Sequence, residues 1–162
     1  MEKILMIDSD KCNGCRICEL VCSMFHEKSA RPSRSRIHVM KWPERAVEFP
    51  MTCQHCEVAM CEKACPVNAI NRDEYGAMLV AAEKCIGCKL CVFACPFGGS
   101  VWDPEKRKII KCNLCSGDPQ CAKFCPPKAI EFVEPTRLNM LKKRAAAERM
   151  TELSKLIFGL TA

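Results

Sequence analysis

No apolar run in the sequence approaches the ~20 residues that a membrane-spanning helix needs. The longest, near residues 78–82 and 92–94, last only a few positions, so no membrane span is expected. The opening Met1-Glu2-Lys3-Ile4-Leu5-Met6-Ile7-Asp8 acquires charge too soon for the apolar heart of a secretory signal, and no twin-arginine pair stands there. Cytoplasmic residence with reduced thiols is the expectation. A GxGxxG loop, a P-loop, a nucleophile elbow and an evident acid–base pair are missing as well. The chain is therefore expected not to be an enzyme, and substrate chemistry is expected to lie on another polypeptide.

What is abundant is cysteine, 16 of 162 residues. Disulfides and metal ligation are the two usual reasons for such a density, and disulfide frameworks belong to secreted chains. The cysteines fall into four quartets with none left over: Cys12, Cys15, Cys18 and Cys22; Cys53, Cys56, Cys61 and Cys65; Cys85, Cys88, Cys91 and Cys95; Cys112, Cys115, Cys121 and Cys125. The first and third share the spacing C-x2-C-x2-C-x3-C. The second and fourth lengthen only the gap between the second and third cysteine. Flanks repeat too. Asp10-Lys11-Cys12-Asn13-Gly14-Cys15 resembles Glu83-Lys84-Cys85-Ile86-Gly87-Cys88, and Pro66-Val67-Asn68-Ala69-Ile70 resembles Pro126-Pro127-Lys128-Ala129-Ile130. This is an internal repeat of alternating short and long members.

A cubane [4Fe–4S] cluster needs a thiolate at each of its irons. A C-x2-C-x2-C run wraps one face and delivers three, while the last cysteine of the run, followed by proline, serves the other cluster in two-cluster ferredoxins. Cys65-Pro66, Cys95-Pro96 and Cys125-Pro126 carry that proline. Cys22 is followed by Ser23 instead, a departure expected to have little consequence. Gly14 and Gly87 sit between ligands, where the backbone must bend tightly. Zinc competes as an explanation, but it takes a closed set of four ligands, commonly from separated C-x2-C knuckles. The pattern points to four [4Fe–4S] clusters, all sixteen cysteines as ligands and single-electron transfer as the function. Thiolates outweigh each oxidised core by about two charges, so four sites turn the formal +6 into about −2. That removes the case for nucleic acid as a partner.

Residues 4–7, 37–40, 77–80 and 108–110 read as strands, 17–24 and 90–94 as short helices after ligand loops, and 26–36 as a basic loop. Residues 136–158 contain neither cysteine nor proline, and Leu138, Leu141, Ala145, Met150, Leu153, Leu156 and Ile157 recur at roughly helical spacing. Thr136 suits an N-cap and Gly159 a stop. Residues 1–134 thus read as a four-cluster domain and 135–162 as a C-terminal helix that folds back or docks on a partner. His55 is expected to make a structural hydrogen bond, and His26 and His38 to lie at the surface. Trp42 and Trp102 are expected to shield clusters from water. Arg31, Arg34 and Arg36 read as a solvated loop, with a docking patch for an acidic partner as the alternative.

The short–long–short–long order carries Cys53-Gln54-His55-Cys56, Ala64-Cys65-Pro66, Cys85-Ile86-Gly87-Cys88, Cys95-Pro96-Phe97-Gly98 and Lys111-Cys112-Asn113-Leu114-Cys115. Across residues 4–133 it resembles the electron-transfer subunits of molybdenum and tungsten oxidoreductases, the small-subunit family of dimethyl sulfoxide reductase, formate dehydrogenase, nitrate reductase and hydrogenase complexes. Most similar are the compact soluble members that serve tungsten aldehyde oxidoreductase, benzoyl-coenzyme A reductase and carbon monoxide dehydrogenase. The resemblance implies an α+β fold of tandem ferredoxin-like lobes, with short strands and helices around the four clusters, plus the C-terminal amphipathic helix. It implies ligand sets that cross between quartets: Cys12, Cys15, Cys18 with Cys125; Cys112, Cys115, Cys121 with Cys22; Cys53, Cys56, Cys61 with Cys95; Cys85, Cys88, Cys91 with Cys65. It also implies a hetero-oligomer with a catalytic molybdenum or tungsten subunit, an aldehyde-oxidising one by preference, and a flavin or NAD subunit as a further partner. A free-standing polyferredoxin carrier is the alternative, and a zinc-binding interaction module a third reading.

Overall fold

Closely spaced ligand loops leave room only for short regular elements, and a computed structural model of the chain contains little else. It describes residues 3–136 together with Met140, Lys143, Arg144 and Ala147. The helices are α1 (Ile17–Glu27), α2 (Met60–Lys63), α3 (Leu90–Phe93) and α4 (Gln120–Lys123). The strands are β1 (Ile4–Ile7), β2 (Ile37–Trp42), β3 (Val47–Thr52), β4 (Ile70–Arg72), β5 (Met78–Val80), β6 (Ser100–Asp103), β7 (Lys108–Lys111) and β8 (Ile130–Val133). They pair as antiparallel two-stranded ribbons, β1 with β8, β2 with β3, β4 with β5 and β6 with β7.

One ribbon sets the arrangement of the rest. β1 and β8 come from distant parts of the chain and pair from Ile4 with Val133 to Ile7 with Ile130. Their pairing brings the first and fourth quartets into one half of the molecule, where α1 packs on α4. The second and third quartets occupy the other half, where α2 packs on α3 and β5 on β7. Each half has a small apolar core interleaved with cysteine. Cys18, Cys22, Ile37, Val39, Cys121 and Ile130 form the first; Ala59, Cys61, Ile70, Met78, Cys91 and Ile109 form the second. Ile37 and Val39 face inward from β2 by simple alternation. Pro50 is tolerated in β3, opposite Val39, because a two-stranded ribbon leaves each strand one unpaired edge.

The expected strands and helices are present, with β2, β7 and α1 longer than their expected ranges. β3, β4, β6 and β8 were not anticipated, since three to six residues with little alternation give no periodic signal. Three further expectations are corrected. The Ser23 departure has a large effect: α2, α3 and α4 stop just before their Cys-Pro pairs, whereas α1 runs through Cys22 to Glu27. Ser23 is fully buried there, donating from Oγ to the Leu20 carbonyl at 2.8 Å and accepting from the Arg31 N–H at 3.2 Å. Arg34 is no solvated loop residue. It is largely buried and pairs with Glu27 at 3.2 Å, Asp103 at 2.9 Å and Glu105 at 2.8 Å. Trp42 is 47% exposed at the end of β2, so much of its ring faces outward. Trp102 does pack against the second core, and the Lys89 ammonium lies 4.4 Å from its ring centroid.

The expected helix over 136–158 lies almost wholly outside the described residues, and so does the expected second unit, 135–162. Among the described residues no helix is long and apolar enough to cross a membrane.

Candidate cluster-binding site

All four quartets use the same turn. The residue before the second cysteine is left-handed: Gly14 at φ 66°, His55 at 47°, Gly87 at 69° and Leu114 at 50°. This conformation reverses the chain between the first two ligands, and only glycine adopts it without steric cost. His55 offsets that cost through its ring, whose Nδ1 accepts the Met78 N–H at 3.0 Å. Burial, reinforced by the charges of Lys111 and Arg72, pushes His55 down to about 4, so the ring is neutral and suited to accepting. The structural role expected for His55 is the one observed. Quartets one and four add an Asx turn each, Asn13 Oδ1 accepting from Cys15 N at 3.3 Å and Asn113 Oδ1 from Cys115 N at 3.2 Å.

The loops are fastened by charged side chains that the sequence reading did not single out. Glu19, next to Cys18 on α1, is fully buried. Its Oε1 accepts the Val39 N–H at 2.6 Å, and its Oε2 takes Arg16 Nε at 2.9 Å and Nη2 at 2.8 Å. It thereby ties the first ligand helix to β2. Arg72 donates to the carbonyl oxygens of His55, Cys56 and Gly76, tying the second ligand loop to the β4–β5 hairpin.

These fastenings bring cysteines from distant quartets together. One cavity is lined by Cys12, Cys15, Cys18 and Cys125. A second is lined by Cys22, Cys112, Cys115 and Cys121. A third is lined by Cys65, Cys85, Cys88 and Cys91. Of the remaining four, the thiols of Cys53, Cys61 and Cys95 act together on the ammonium of Lys111, and Cys56 shares the loop of Cys53. Each cavity takes three cysteines from one quartet and the last cysteine of another. These groups coincide with the crossed sets, not with quartets paired in sequence. The larger open clefts lie elsewhere, along β1 and the β4–β5 hairpin, and neither gathers a cysteine set.

The donor chemistry fits a cubane better than a single ion. Among the described residues no three His, Cys, Asp or Glu side chains converge as a metal ion would require; the thiols stand apart around a space. Burial pushes the Cys18 thiol up to about 12 and the Cys112 thiol up to about 11, so neither would ionise unaided. A cationic core is what allows such sulfurs to be buried as thiolates. Hydrogen bonds to sulfur are already in place: Arg36 N to Cys22 at 3.3 Å, Ala69 N to Cys65 at 3.2 Å and Gly99 N to Cys95 at 3.2 Å. Such bonds stabilise negative charge on the ligand and tune reduction potential. Lys111 Nζ lies 3.6 Å from Cys61 Sγ and 2.9 Å from Ser100 Oγ. Burial alone would lower Lys111, but the nearby thiols outweigh it and keep the ammonium charged. His26, expected at the surface, lies with Nε2 3.7 Å from Cys115 Sγ, and burial lowers it to about 4.

Comparison with known proteins gives the family. The 4Fe-4S dicluster domain matches residues 45–135, and a 4Fe-4S binding domain matches residues 9–24. The chain belongs to the 4Fe–4S dicluster family. As a dicluster chain it carries [4Fe–4S] clusters, with cysteines enough for four. It is a ferredoxin-type electron-transfer subunit, not a catalytic one. Among relatives, the "Aliphatic sulfonate oxidoreductase, polyferredoxin-like subunit" of Pyrococcus furiosus is 42% identical over 123 residues, covering 75% of this chain and 70% of the relative. The "Probable anaerobic dimethyl sulfoxide reductase chain YnfG" of Escherichia coli is 34% identical over 144 residues, covering 78% and 70%. A chain of the active site complex BamBC of benzoyl coenzyme A reductase, as isolated, is similar at 27% identity and a TM-score of 0.48, covering 94% of this dicluster protein and 96% of that chain.

Sequence reasoning found every cysteine that the cavities gather. It missed the fastening residues Glu19, Arg72 and Lys111. A charge directly beside a ligand, Glu19 after Cys18 and Lys111 before Cys112, was the available signal.

Proposed function

We propose that the sixteen cysteines ligate four [4Fe–4S] clusters in the crossed sets, and that the chain relays single electrons along them between a catalytic subunit and a second redox partner. The observation that carries this reading is the gathering of three complete crossed sets, each around one cavity. Each cluster, when bound, accepts and releases one electron at a time. The protein's own part is to bury the ligands, exclude water and offer N–H groups to sulfur.

Burial supports an order for the row. Cys15 and Cys88 are the exposed cysteines, one in the set of Cys12 and one in the set of Cys85. The other two sets hold none. These two inner sets adjoin where Cys53 and Cys112 lie close enough for the charge of one to act on the other. The row then runs from the Cys88 end through the sets of Cys53 and Cys112 to the Cys15 end. Electrons enter and leave at Cys15 and Cys88.

The catalytic partner in this reading carries a tungsten or molybdenum cofactor and oxidises an aldehyde, and a flavin or NAD subunit sits at the other end. The names of the relatives support an oxidoreductase as that partner. Residues 135–162 serve as the docking segment. Purified protein should contain about sixteen irons and sixteen sulfides per chain. Cys22→Ser and Cys112→Ser should alter the same cluster signal in electron paramagnetic resonance (EPR). Cys12→Ser and Cys22→Ser altering the same signal would overturn the crossing. A native mass equal to the lone 18.2 kDa chain would favour the free polyferredoxin carrier instead.

A further inference from the structure

The cations of this protein are distributed unevenly around its cysteine sets. Among the described residues only three charged side chains are buried, Glu19, Asp103 and Lys111, so Lys111 is the one buried cation. Asp103 is committed to Arg34 and to the backbone N–H groups of Glu105 and Lys106, and Glu19 to Arg16 and Val39. Lys111 has no carboxylate partner among the described residues. Its ammonium is held by Ser100, which faces it across the β6–β7 ribbon, and by the thiol of Cys61. The sulfurs acting on it, Cys53, Cys61 and Cys95, all belong to one crossed set.

The backbone origin of Lys111 makes this selective. Lys111 ends β7, and its chain neighbour Cys112 belongs to a different set. The side chain therefore turns away from the ligand beside it and delivers its charge to the adjoining set. The comparable cation near Cys22 and Cys115, Arg36, is only half-buried, so water screens it more. Removing a lysine from water without a partner is costly. That cost is offset where anionic charge is buried beside it.

We infer that Lys111 sets the reduction potential of the cluster held by Cys53, Cys56, Cys61 and Cys95, making it the first of the four to accept an electron. The inference rests on the ligand reading above. Reduction adds one negative charge to a site that already holds net negative charge. A fixed ammonium at hydrogen-bond distance from a ligand sulfur stabilises the reduced form more than the oxidised one. An inner member of the row thereby becomes the resting place of the electron, with lower-potential clusters on both sides.

The test is a mediated redox titration of the cluster-loaded full chain, followed by EPR. Lys111→Gln keeps a donor for Ser100 and removes the charge; Lys111→Arg keeps the charge. In K111Q one of the four reduction steps should become at least tenfold less favourable, which is about 59 mV for a one-electron couple. The other three should hold, and K111R should stay near the native value. Four unchanged steps, or four equal shifts, would overturn the inference. A wild-type measurement covers the case in which K111Q fails to assemble. Chain labelled with ε-15N lysine and poised at one electron per molecule should show 15N coupling to the first-reduced cluster in pulsed EPR; absence of that coupling overturns the inference. Iron and sulfide content decides the underlying four-cluster reading separately, and the paired Cys→Ser variants decide the crossing. A full complement with no shift sinks only the role of Lys111, whereas a deficit in the native protein sinks the four-cluster assignment.

Discussion

Gly99 lies against the backbone of Cys53: a Cβ added to it would stand 2.8 Å from Cys53 Cα and 3.1 Å from Cys53 Cβ. The residues at the same place after the other two Cys-Pro pairs, Ala69 and Ala129, are alanines, both fully buried. The position tolerates a methyl group in those runs and only hydrogen where Cys53 approaches. Gly99→Ala should therefore destabilise the protein by about 1–3 kcal/mol through overpacking. Gly98→Ala meets open space but occupies a φ of 63°, and should cost about 1–2 kcal/mol from backbone strain alone. Anaerobic denaturant unfolding, with cluster absorbance and circular dichroism as readouts, separates the two. G99A should also slow or lose assembly at the set of Cys53, while G98A keeps it.

Arg34 joins residues far apart in the chain, with Glu27 on α1 and Asp103 at the end of β6 on its guanidinium. Arg34→Met leaves the buried Asp103 carboxylate without its cation, while Glu27 keeps Lys106, and should cost about 3–5 kcal/mol. Burial alone would raise Asp103, but the N–H groups of Lys106 and Glu105 and the charge of Arg34 outweigh it and hold the carboxyl below its usual range. Glu27 is held low by Lys106, with Arg34 adding to the effect. Folded-state values below the unfolded ones stabilise the protein above about pH 4, and that stabilisation is lost as pH falls through the folded values. Asp103→Asn should accordingly be less stable than the native chain at neutral pH and converge with it under acid. A constant gap across pH 7 to pH 3 in denaturant midpoint would contradict this origin.

His55 works as an acceptor in a left-handed turn. His55→Ala leaves the buried Met78 N–H without a partner and should cost about 1–3 kcal/mol. His55→Asn retains an acceptor and tolerates positive φ. It should recover part of the loss, as measured by the same unfolding curves.

Iron removal tests how far the clusters hold up the fold. Each apolar core consists of six buried residues, of which two or three are cysteines. Such cores are too small to hold two halves together once their sulfurs lose a shared centre. Chelation under reducing conditions should therefore abolish the dispersion of amide signals in NMR. Readdition of iron and sulfide should restore it.

Much of this was readable from residue order because ligand spacing is local. C-x2-C-x2-C-x3-C runs, the glycines at 14 and 87 and the Cys-Pro pairs each describe one turn of chain, and that turn forms as expected. The Ser23 departure was visible as well, yet its effect was not. Its hydroxyl replaces a chain stop by bonding Arg31 N, and nothing in the local sequence announces that partner. The short ribbons β4, β6 and β8 escaped for a related reason. Three or four residues make a strand only when another segment lies alongside.

The sequence by itself determined the cofactor and its number, since four complete sets of soft ligands at cluster spacing admit little else. It also determined the tight turns that present those ligands. Tertiary structure decided which cysteines share a cavity, by pairing β1 with β8 and so joining the first quartet to the fourth. It decided as well that Arg34 meets Asp103 across 69 positions and that Lys111 faces the thiol of Cys61 across 50. Spacing governs what a loop can bind because a loop closes on itself within a few residues. A charge acts through space on whatever the fold sets beside it, and that neighbour is absent from the local sequence.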